Sequence, residues 1–347
     1  MAVAAESVVA VPDWFAGAVA ELPEHREVEV DGAAIHLRCW GRTGTPGVVL
    51  VHGGSAHSGW WDHIAPLLAT THRVVALDLS GHGDSATRSR YPMEGWADEV
   101  MAAAEAAGID GQPYIVGHSM GGRVAGVVGA RHRESVAGLI IIDSPFQEPS
   151  EEAIAWQLRR TAKTYPSEEE ICGRFRTVPE QDTLLPYIAR HVAAESVRKT
   201  DDGWVWKFDP DMLRKRLEHG RIPPLEPLRT GETPVIYIRC ERGLVSRERA
   251  SEIAGLFDRP ATVVELAEAG HHPMMDQPLP LVATLRTALA QWDSIRRRVR
   301  ADRGPEQCVT HPADMEHRHC DQVPVTVGER EFGSDTYGVG DERPLAE

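Results

Sequence analysis

A serine lies at the centre of the sequence Gly-His-Ser-Met-Gly, residues 117–121. An apolar run precedes it and small residues follow it, so we expect Ser119 at a strained turn between a strand and a helix. Such a turn projects the hydroxyl clear of the backbone, and the amides at the start of the helix favour negative charge beside it. Ser119 is therefore the candidate nucleophile.

A serine hydroxyl becomes a good nucleophile only when a neighbouring base takes its proton. The chain contains 16 histidines, and the most suitable one lies in the stretch VVELAEAGHHP. There a predicted final strand, Thr262 to Leu266, leads into the residues Ala-Gly-His-His. We select His271 as the base and keep His272 as the alternative.

Attack on a carbonyl also requires two N–H donors that stabilise the negative oxygen formed in the reaction. The stretch LVHGGS leaves a strand at His52-Gly53-Gly54, where a glycine lets the backbone amide turn toward the serine. We therefore predict the amides of Gly54 and Met120 as the oxyanion donors. For His52 we expect a structural role in that loop.

Candidates for the substrate pocket follow from closeness in sequence to these groups. Trp60 and Trp61 come soon after the His-Gly-Gly loop, and they are expected either to line the pocket or to fill the core. His118, next to the nucleophile, is assigned to the pocket. The stretch Asp78–Ser85 could offer metal ligands but is interpreted as a structural loop, and no metal site is predicted.

The overall composition excludes several classes of protein. The chain has 347 residues and a formal net charge of −15, which disfavours binding to nucleic acid or to anionic membranes. No apolar run approaches the roughly 20 residues that span a bilayer, and the N-terminus lacks the positive segment of a secretory signal. Five scattered cysteines do not suggest a disulfide framework, so a cytoplasmic location is expected.

The pattern of apolar residues indicates an α/β fold. Alternating residues on either side of Asp31-Gly32 predict a β-hairpin near the N-terminus. Five short apolar runs follow, rich in Val and Ile and separated by segments of helix length. Strands of this kind are buried on both faces, so we predict a mostly parallel sheet with helices on both sides.

The alternation divides the chain into segments. Residues 1–25 form an N-terminal extension, and the strands and helices occupy residues 26–145 and 231–293. Between them, residues 146–230 interrupt the alternation, and their short helical stretches with aromatic residues suggest an insertion over one end of the sheet. Residues 294–347 are polar and are expected to be a disordered tail.

Four motifs, taken in order, resemble the α/β-hydrolase superfamily, in its small form with a helical cap. They are the HGG loop, the DLSGHGDS turn, GHSMGG and AGHH, and the resemblance extends from about residue 26 to residue 293. The resemblance implies an α/β-hydrolase fold and a cap formed by residues 146–230. It does not identify the substrate or the oligomeric state, because one scaffold supports many reactions.

The resemblance also raises a question about the acid that orients the histidine. Many members carry it after the strand that here continues as VIYIRCERGL, yet no aspartate stands there. Other members carry it one strand earlier, where this sequence has Asp143 directly after an apolar run. We therefore predict Asp143 as the acid, with Glu241 as the alternative; Asp143 could also serve as a helix N-cap.

The expected function is that of a serine hydrolase that cleaves a small to medium carboxylic ester through an acyl-enzyme, without a cofactor. Haloalkane dehalogenases and epoxide hydrolases, which resemble it in fold, have an aspartate at the nucleophile position and are disfavoured. Carbon–carbon bond hydrolases and cofactor-free haloperoxidase-like members keep the serine and remain alternatives. A ligand receptor on a hydrolase scaffold is an alternative from a different class.

Overall fold

The computed structural model describes residues 10–147, 163–218 and 228–302, together with residues 154 and 158. The strands found in these residues belong to one compact unit that ends at Arg296. A second unit, Arg297–Glu347, has described residues only as far as Asp302, and these are helical.

Eight strands form the main sheet, in the order β1-β2-β4-β3-β5-β6-β9-β10. Strands β1 and β2 are antiparallel, as are β2 and β4, and the remaining neighbours are parallel. A separate antiparallel hairpin consists of β7 and β8. The strands are β1 (Glu24–Val30), β2 (Ala33–Trp40), β3 (Gly47–Val51), β4 (Arg73–Leu77), β5 (Tyr114–His118), β6 (Gly138–Ile142), β7 (Val197–Thr200), β8 (Gly203–Trp206), β9 (Val235–Arg242) and β10 (Thr262–Gly270).

Ten α-helices connect the strands or flank them. In chain order they are α1 (Asp13–Ala20), α2 (Ala65–Ala69), α3 (Met93–Ala106), α4 (Met120–Arg131), α5 (Glu168–Cys172), α6 (Pro186–Glu195), α7 (Met212–Glu218), α8 (Arg247–Ala254), α9 (Pro273–Asp276) and α10 (Pro278–Asp302). This count covers only the described part of the chain. None of these helices combines the length and the apolar character that crossing a membrane requires.

The parallel strands confirm the predicted fold class. Residues that alternate along β3 belong to two different apolar clusters: Val48 and Leu50 to one, Val49 and Val51 to the other. Because side chains of a strand alternate between the two faces of a sheet, both faces are covered by apolar groups. The predicted hairpin is also confirmed, since Asp31 and Gly32 adopt positive φ angles of 46° and 72° between β1 and β2.

The insertion differs from the expected group of short helices. Residues 163–218, called the insertion segment here, contain the β7–β8 hairpin besides short helices. Asp202-Gly203 at its turn is a hairpin signal that the sequence interpretation overlooked.

The predicted start of the polar tail at residue 294 is wrong, because α10 continues to Asp302. Its last two turns are rich in arginine, a good helix former, which outweighs their polar character. The expected tail from residue 303 onward lies outside the described residues.

The charged character of the sheet edges is a further feature. Strand β1 forms one edge and β10 the other. Strand β1 has the sequence EHREVEV, in which all three glutamates are exposed. On β10, Glu265 and Glu268 are exposed and pair with arginines of β9 and α8, namely Arg239, Arg242 and Arg247.

Candidate active site

Ser119 lies at the turn between β5 and α4, as the sequence predicts. Its backbone has φ 53° and ψ −116°, a strained conformation for a residue with a side chain. The amide of Ser119 donates a 3.0 Å hydrogen bond to the carbonyl of Ile142 on β6, and its own carbonyl accepts from the amide of Gly122 at 3.0 Å. The neighbouring strand and the first turn of the helix therefore hold the strained residue in place.

The glycines around Ser119 are needed because backbone approaches them closely. A Cβ at Gly117 would collide with the backbone of Gly121. A Cβ at Gly121 would lie 2.5 Å from the carbonyl oxygens of Val51 and His52. The turn thus fits against the end of β3 only without side chains at these positions.

His271 follows β10 and lies within hydrogen-bond distance of Ser119. Its Nε2 is 3.0 Å from the Ser119 hydroxyl oxygen, and its Nδ1 is 2.8 Å from Oδ2 of Asp143. An ionised carboxylate can only accept, so Nδ1 carries the proton and Nε2 accepts from the serine hydroxyl. The imidazole is buried, with 2% of its surface exposed.

Asp143 follows β6 directly and is fully buried. Its φ angle of 41° turns the chain at the end of the strand. Besides His271, its carboxylate accepts hydrogen bonds from the amide of Cys240 at 3.2 Å and the amide of Leu244 at 2.8 Å. The loop after β9 therefore encloses the carboxylate that β6 supplies.

The alternative acid, Glu241, lies elsewhere. It is exposed, and its carboxylate accepts a 2.7 Å hydrogen bond from the amide of Glu268. The loop after β9 can surround Asp143 because residue 243 is a glycine. A Cβ at this position would collide with the Asp143 carboxylate. Of the two predicted acids, the structure brings only Asp143 to His271.

Gly54 and Met120, whose amides are the predicted oxyanion donors, approach each other through the Met120 side chain. Met120 is the first residue of α4, and amides of a first helical turn have no acceptor within the helix. A Cβ at Gly54 would lie 3.8 Å from the Met120 sulfur, and one at Gly53 would lie 3.4 Å from Cβ of Ser119. Nδ1 of His52 donates to the carbonyl of Gly53, and Nε2 accepts from the amide of Leu79 just after β4, so His52 joins this loop to the neighbouring one.

The three predicted pocket residues, Trp60, Trp61 and His118, have different surroundings. Trp61 is fully buried in the core, whereas Trp60 retains 7% exposure and its ring centroid is 5.4 Å from that of His272. The ring of Phe175, from the insertion segment, lies 6.0 Å from Trp60. His118 is buried, and its Nε2 is 2.8 Å from the carbonyl oxygen of His271, so it contacts the base through the backbone.

Three imidazoles lie close enough together to suggest a metal site. One nitrogen each of His118, His271 and His272 lies within 4.8 Å of the others. Both nitrogens of His271 are already engaged, with Asp143 and Ser119, and Nε2 of His118 faces a carbonyl. Burial lowers the pKa of His272 to about 3, so this ring remains neutral near pH 7. The cluster is thus best described as a hydrogen-bonded base with two neutral neighbouring rings.

A second serine–histidine pair has a different environment. Nε2 of His57 is 2.8 Å from the hydroxyl of Ser196, which donates in turn to the carbonyl of Val192 at 2.6 Å. Burial lowers the pKa of His57 to about 3, which makes it a poor base. This pair links the loop after β3 to the insertion segment.

Sequence reasoning missed two polar side chains beside the histidine. Oδ2 of Asp276 accepts from the amide of Gly270 at 2.7 Å, and Oε1 of Gln181 accepts from the amide of His272 at 2.6 Å. The position of Asp276, soon after the Gly-His-His turn, was a signal that could have been used. Gln181 lies in a segment without a recognisable pattern.

Comparison with known proteins agrees with this architecture. The profile of the alpha/beta hydrolase family matches residues 48–285. A pimeloyl-[acyl-carrier protein] methyl ester esterase of Neisseria meningitidis is 39% identical over 249 residues, covering 69% of this chain and 91% of that protein. An esterase of Mycobacterium tuberculosis is 26% identical over 285 residues, covering 79% and 92%.

Among solved structures, E-2-(acetamidomethylene)succinate hydrolase has a TM-score of 0.65 at 20% identity, with 76% of this chain and 98% of that chain covered. At this identity the likeness concerns the fold alone. The order of the strands, the turn at Ser119 and the match over most of the chain lead to one conclusion: this protein is a hydrolase that belongs to the alpha/beta hydrolase family.

Proposed function

We propose that this hydrolase cleaves a small to medium carboxylic ester through an acyl-enzyme intermediate. Ser119 attacks the ester carbonyl while Nε2 of His271 takes its proton, and Asp143 stabilises the resulting imidazolium. The amides of Gly54 and Met120 donate to the negative oxygen. The imidazolium then protonates the departing alkoxide, which leaves as the alcohol. In the second half of the reaction, His271 takes a proton from a water molecule, which attacks the acyl-enzyme carbonyl and releases the acid and Ser119.

The hydrogen-bonded chain from Asp143 through His271 to Ser119 is the observation that carries this proposal. Its two links measure 2.8 Å and 3.0 Å. Each side chain comes from a different strand end, β6, β10 and β5, at the carboxyl edge where parallel α/β sheets bind ligands. The chain of bonds matches the requirement of a nucleophile, a base and a group that orients the base.

An ester with an apolar part suits the surroundings of Ser119. The aromatic rings of Trp60, Phe175 and Trp206 form a series, with centroids 6.0 Å and 6.4 Å apart. Phe175 and Trp206 belong to the insertion segment, which we propose as a cap over the site that excludes water and selects the substrate. The similarity to proteins described as esterases also favours an ester.

The nucleophile is tested by labelling with a fluorophosphonate probe, which reacts with activated serines. We expect one label per chain in the wild type and none in Ser119→Ala. Ser196→Ala serves as the matched control, because Ser196 also contacts a histidine and should leave labelling intact. Labelling that persists in Ser119→Ala and disappears in Ser196→Ala would contradict the proposal.

The bond that is cleaved is tested with two sets of substrates. A series of p-nitrophenyl esters of increasing acyl length should be hydrolysed with multiple turnovers and a maximum at short to medium length. A vinylogous diketone should remain intact. Turnover of the diketone alone would favour carbon–carbon cleavage, whereas one burst without further turnover would favour a ligand receptor.

A further inference from the structure

The peptide groups on both sides of His271 are held by side chains outside its own turn. The amide of Gly270 donates to Oδ2 of Asp276 at 2.7 Å, and the amide of His272 donates to Oε1 of Gln181 at 2.6 Å. The carbonyl of His271 accepts from His118 at 2.8 Å. The position of the imidazole therefore depends on these partners as well as on Asp143.

Gln181 connects two of these anchors. Its Nε2 donates to Oδ2 of Asp276 at 3.1 Å while its Oε1 faces the His272 amide. Because the Asp276 carboxylate is a hydrogen-bond acceptor and the His272 amide is a donor, the side-chain amide of Gln181 has one favoured orientation. Thr183, two residues further on, also donates to Oδ2 of Asp276 at 3.1 Å.

Close packing reinforces the bridge. A Cβ at Gly270 would lie 2.5 Å from Nε2 of Gln181, so the side chain rests directly on the backbone that precedes His271. The amide of Leu185 donates to the carbonyl of Met275 at 3.0 Å, which joins the same stretch of the insertion segment to α9. A displacement of residues 181–185 would therefore be transmitted to the turn that carries the imidazole.

We propose that Gln181 is a positioning residue that couples the insertion segment to the imidazole of His271. The inference rests on the proposed function, in which His271 is the base. Small displacements of a base are costly, since about 1 Å of misplacement can reduce a rate roughly 100-fold. The insertion segment would then affect the chemical step as well as the choice of substrate.

Among the described residues, the titratable groups around the bridge include Asp276, His271, His272 and Cys240, whose thiol interacts electrostatically with the Asp276 carboxylate. Burial raises the pKa of Asp276, while its hydrogen bonds with Gly270 and Thr183 oppose that shift. Gln181→Glu keeps the shape but introduces a carboxylate beside Oδ2 of Asp276. Two carboxylates at this distance share one proton at low pH and repel each other when both are ionised.

The test compares kcat against pH for the wild type and Gln181→Glu. We expect the kcat values of the two proteins to agree within about threefold near pH 6. The kcat of the variant should then fall below that of the wild type by about 10- to 100-fold near pH 9, with little change in KM. Gln112→Glu is the matched control, since Gln112 bonds to Glu134 and Arg296 outside the site. An identical pH profile in Gln181→Glu and the wild type overturns the proposal, because a purely structural role would change only stability.

A second readout is independent of ester turnover. The Nδ1 proton shared with Asp143 should give a downfield ¹H NMR resonance, and Gln181→Glu should shift or broaden it as the pH rises. If the wild type cleaves no ester, this resonance still tests the bridge. If Gln181→Glu does not fold, Gln181→Met should show a kcat loss of about 10-fold at every pH and a shifted resonance; a Met variant unchanged in both overturns the proposal.

Discussion

The carboxylate of Asp143 makes hydrogen bonds with three donors, the imidazole of His271 and two backbone amides. All three donors are fixed by the fold, so the carboxylate can adopt only one orientation. An asparagine at this position would present an NH₂ group to at least one of these donors. With the NH₂ at the Oδ2 position, the imidazole would have to adopt the opposite tautomer, with its proton on the nitrogen that faces Ser119; with the NH₂ at the Oδ1 position, it would face the Cys240 amide, and in both cases the negative charge that stabilises the imidazolium is lost.

Replacement of Asp143 by Asn should therefore abolish most activity while the fold persists. We expect a loss in kcat on the order of 10³ to 10⁴, by analogy with the serine-protease triad. Glu241→Gln is the matched control and should remain within a few-fold of the wild type, because the exposed Glu241 carboxylate accepts from the Glu268 amide and makes no hydrogen bond to His271. Activated-ester turnover measures both, and near-normal activity of Asp143→Asn would refute the assignment.

Local motifs were sufficient to select Ser119, His271 and Asp143 as candidates. The sequence left Asp143 and Glu241 as alternatives, because the course of the loop after β9 has no motif of its own. Gln181 was not found, since it reaches His272 from 91 residues away and lies in an irregular stretch. Contacts between distant segments depend on tertiary packing, which no local pattern records.

At the level of elements, buried strands were the easiest to predict. Five continuous apolar runs became β3, β4, β5, β6 and β9, because strands covered on both faces leave a strong compositional signal. The β7–β8 hairpin was missed, since β7 consists of Val-Arg-Lys-Thr with three exposed residues. The extent of α10 was underestimated because its last turns are polar.

The loop after β3 offers a test of the oxyanion donor. Gly54→Ala should fold and retain activity, because within the described part of the chain only the Met120 sulfur lies near a Cβ there, at 3.8 Å. Gly54→Pro removes the amide proton and should reduce kcat by about 10² to 10³. Thermal melting of both variants verifies folding, and a fully active, folded proline variant would exclude this amide as a donor.

At the level of the whole molecule, an ionic cluster joins the insertion segment to the sheet. Arg38 of β2 is buried and donates to Asp62 at 2.8 Å and to Glu195 of α6 at 2.6 Å. His191, also on α6, contacts the same Asp62 oxygen at 3.1 Å. Removing the arginine would leave two carboxylates without their shared cation.

Arg38→Met should thus destabilise the protein by about 3–5 kcal/mol in its free energy of unfolding. The matched control is Arg174→Met, whose ion pair with Glu170 is exposed and should contribute less than about 1 kcal/mol. Denaturant unfolding measures both variants. Equal effects would show that the buried cluster contributes no more than a surface pair.

Buried histidines predict how stability depends on pH. Burial lowers the pKa of His63 to about 4, although its hydrogen bond to the Met274 carbonyl opposes the shift. In the unfolded chain this group binds a proton near pH 6.5, so between pH 6.5 and 4 the unfolded state holds protons that the folded state lacks. Its contribution to stability therefore falls as the pH falls through that window.

His63→Gln should flatten this dependence by up to about 1.4 kcal/mol per pH unit, since glutamine does not titrate and can still donate to Met274. Urea unfolding at pH 7, 6 and 5 provides the measurement. Gln112→Asn, at a partly exposed position, is the control, because it removes no titratable group and should leave the slope as in the wild type. If the free energy of unfolding depended on pH equally in His63→Gln and the wild type, the His63 ring would not be neutral and buried in the folded state.

The charged edges of the sheet have a consequence for self-association. An additional strand from another copy could pair with β1 or β10 only by removing water from the glutamates that lie along them, among them Glu24, Glu27 and Glu265. Such charged edges oppose strand-to-strand aggregation between folded molecules. Hydrogen bonds from Arg73 and Arg247 lower the pKa values of Glu24 and Glu265, respectively, so these two carboxylates should keep their charge, and with it this protection, in mildly acidic solution.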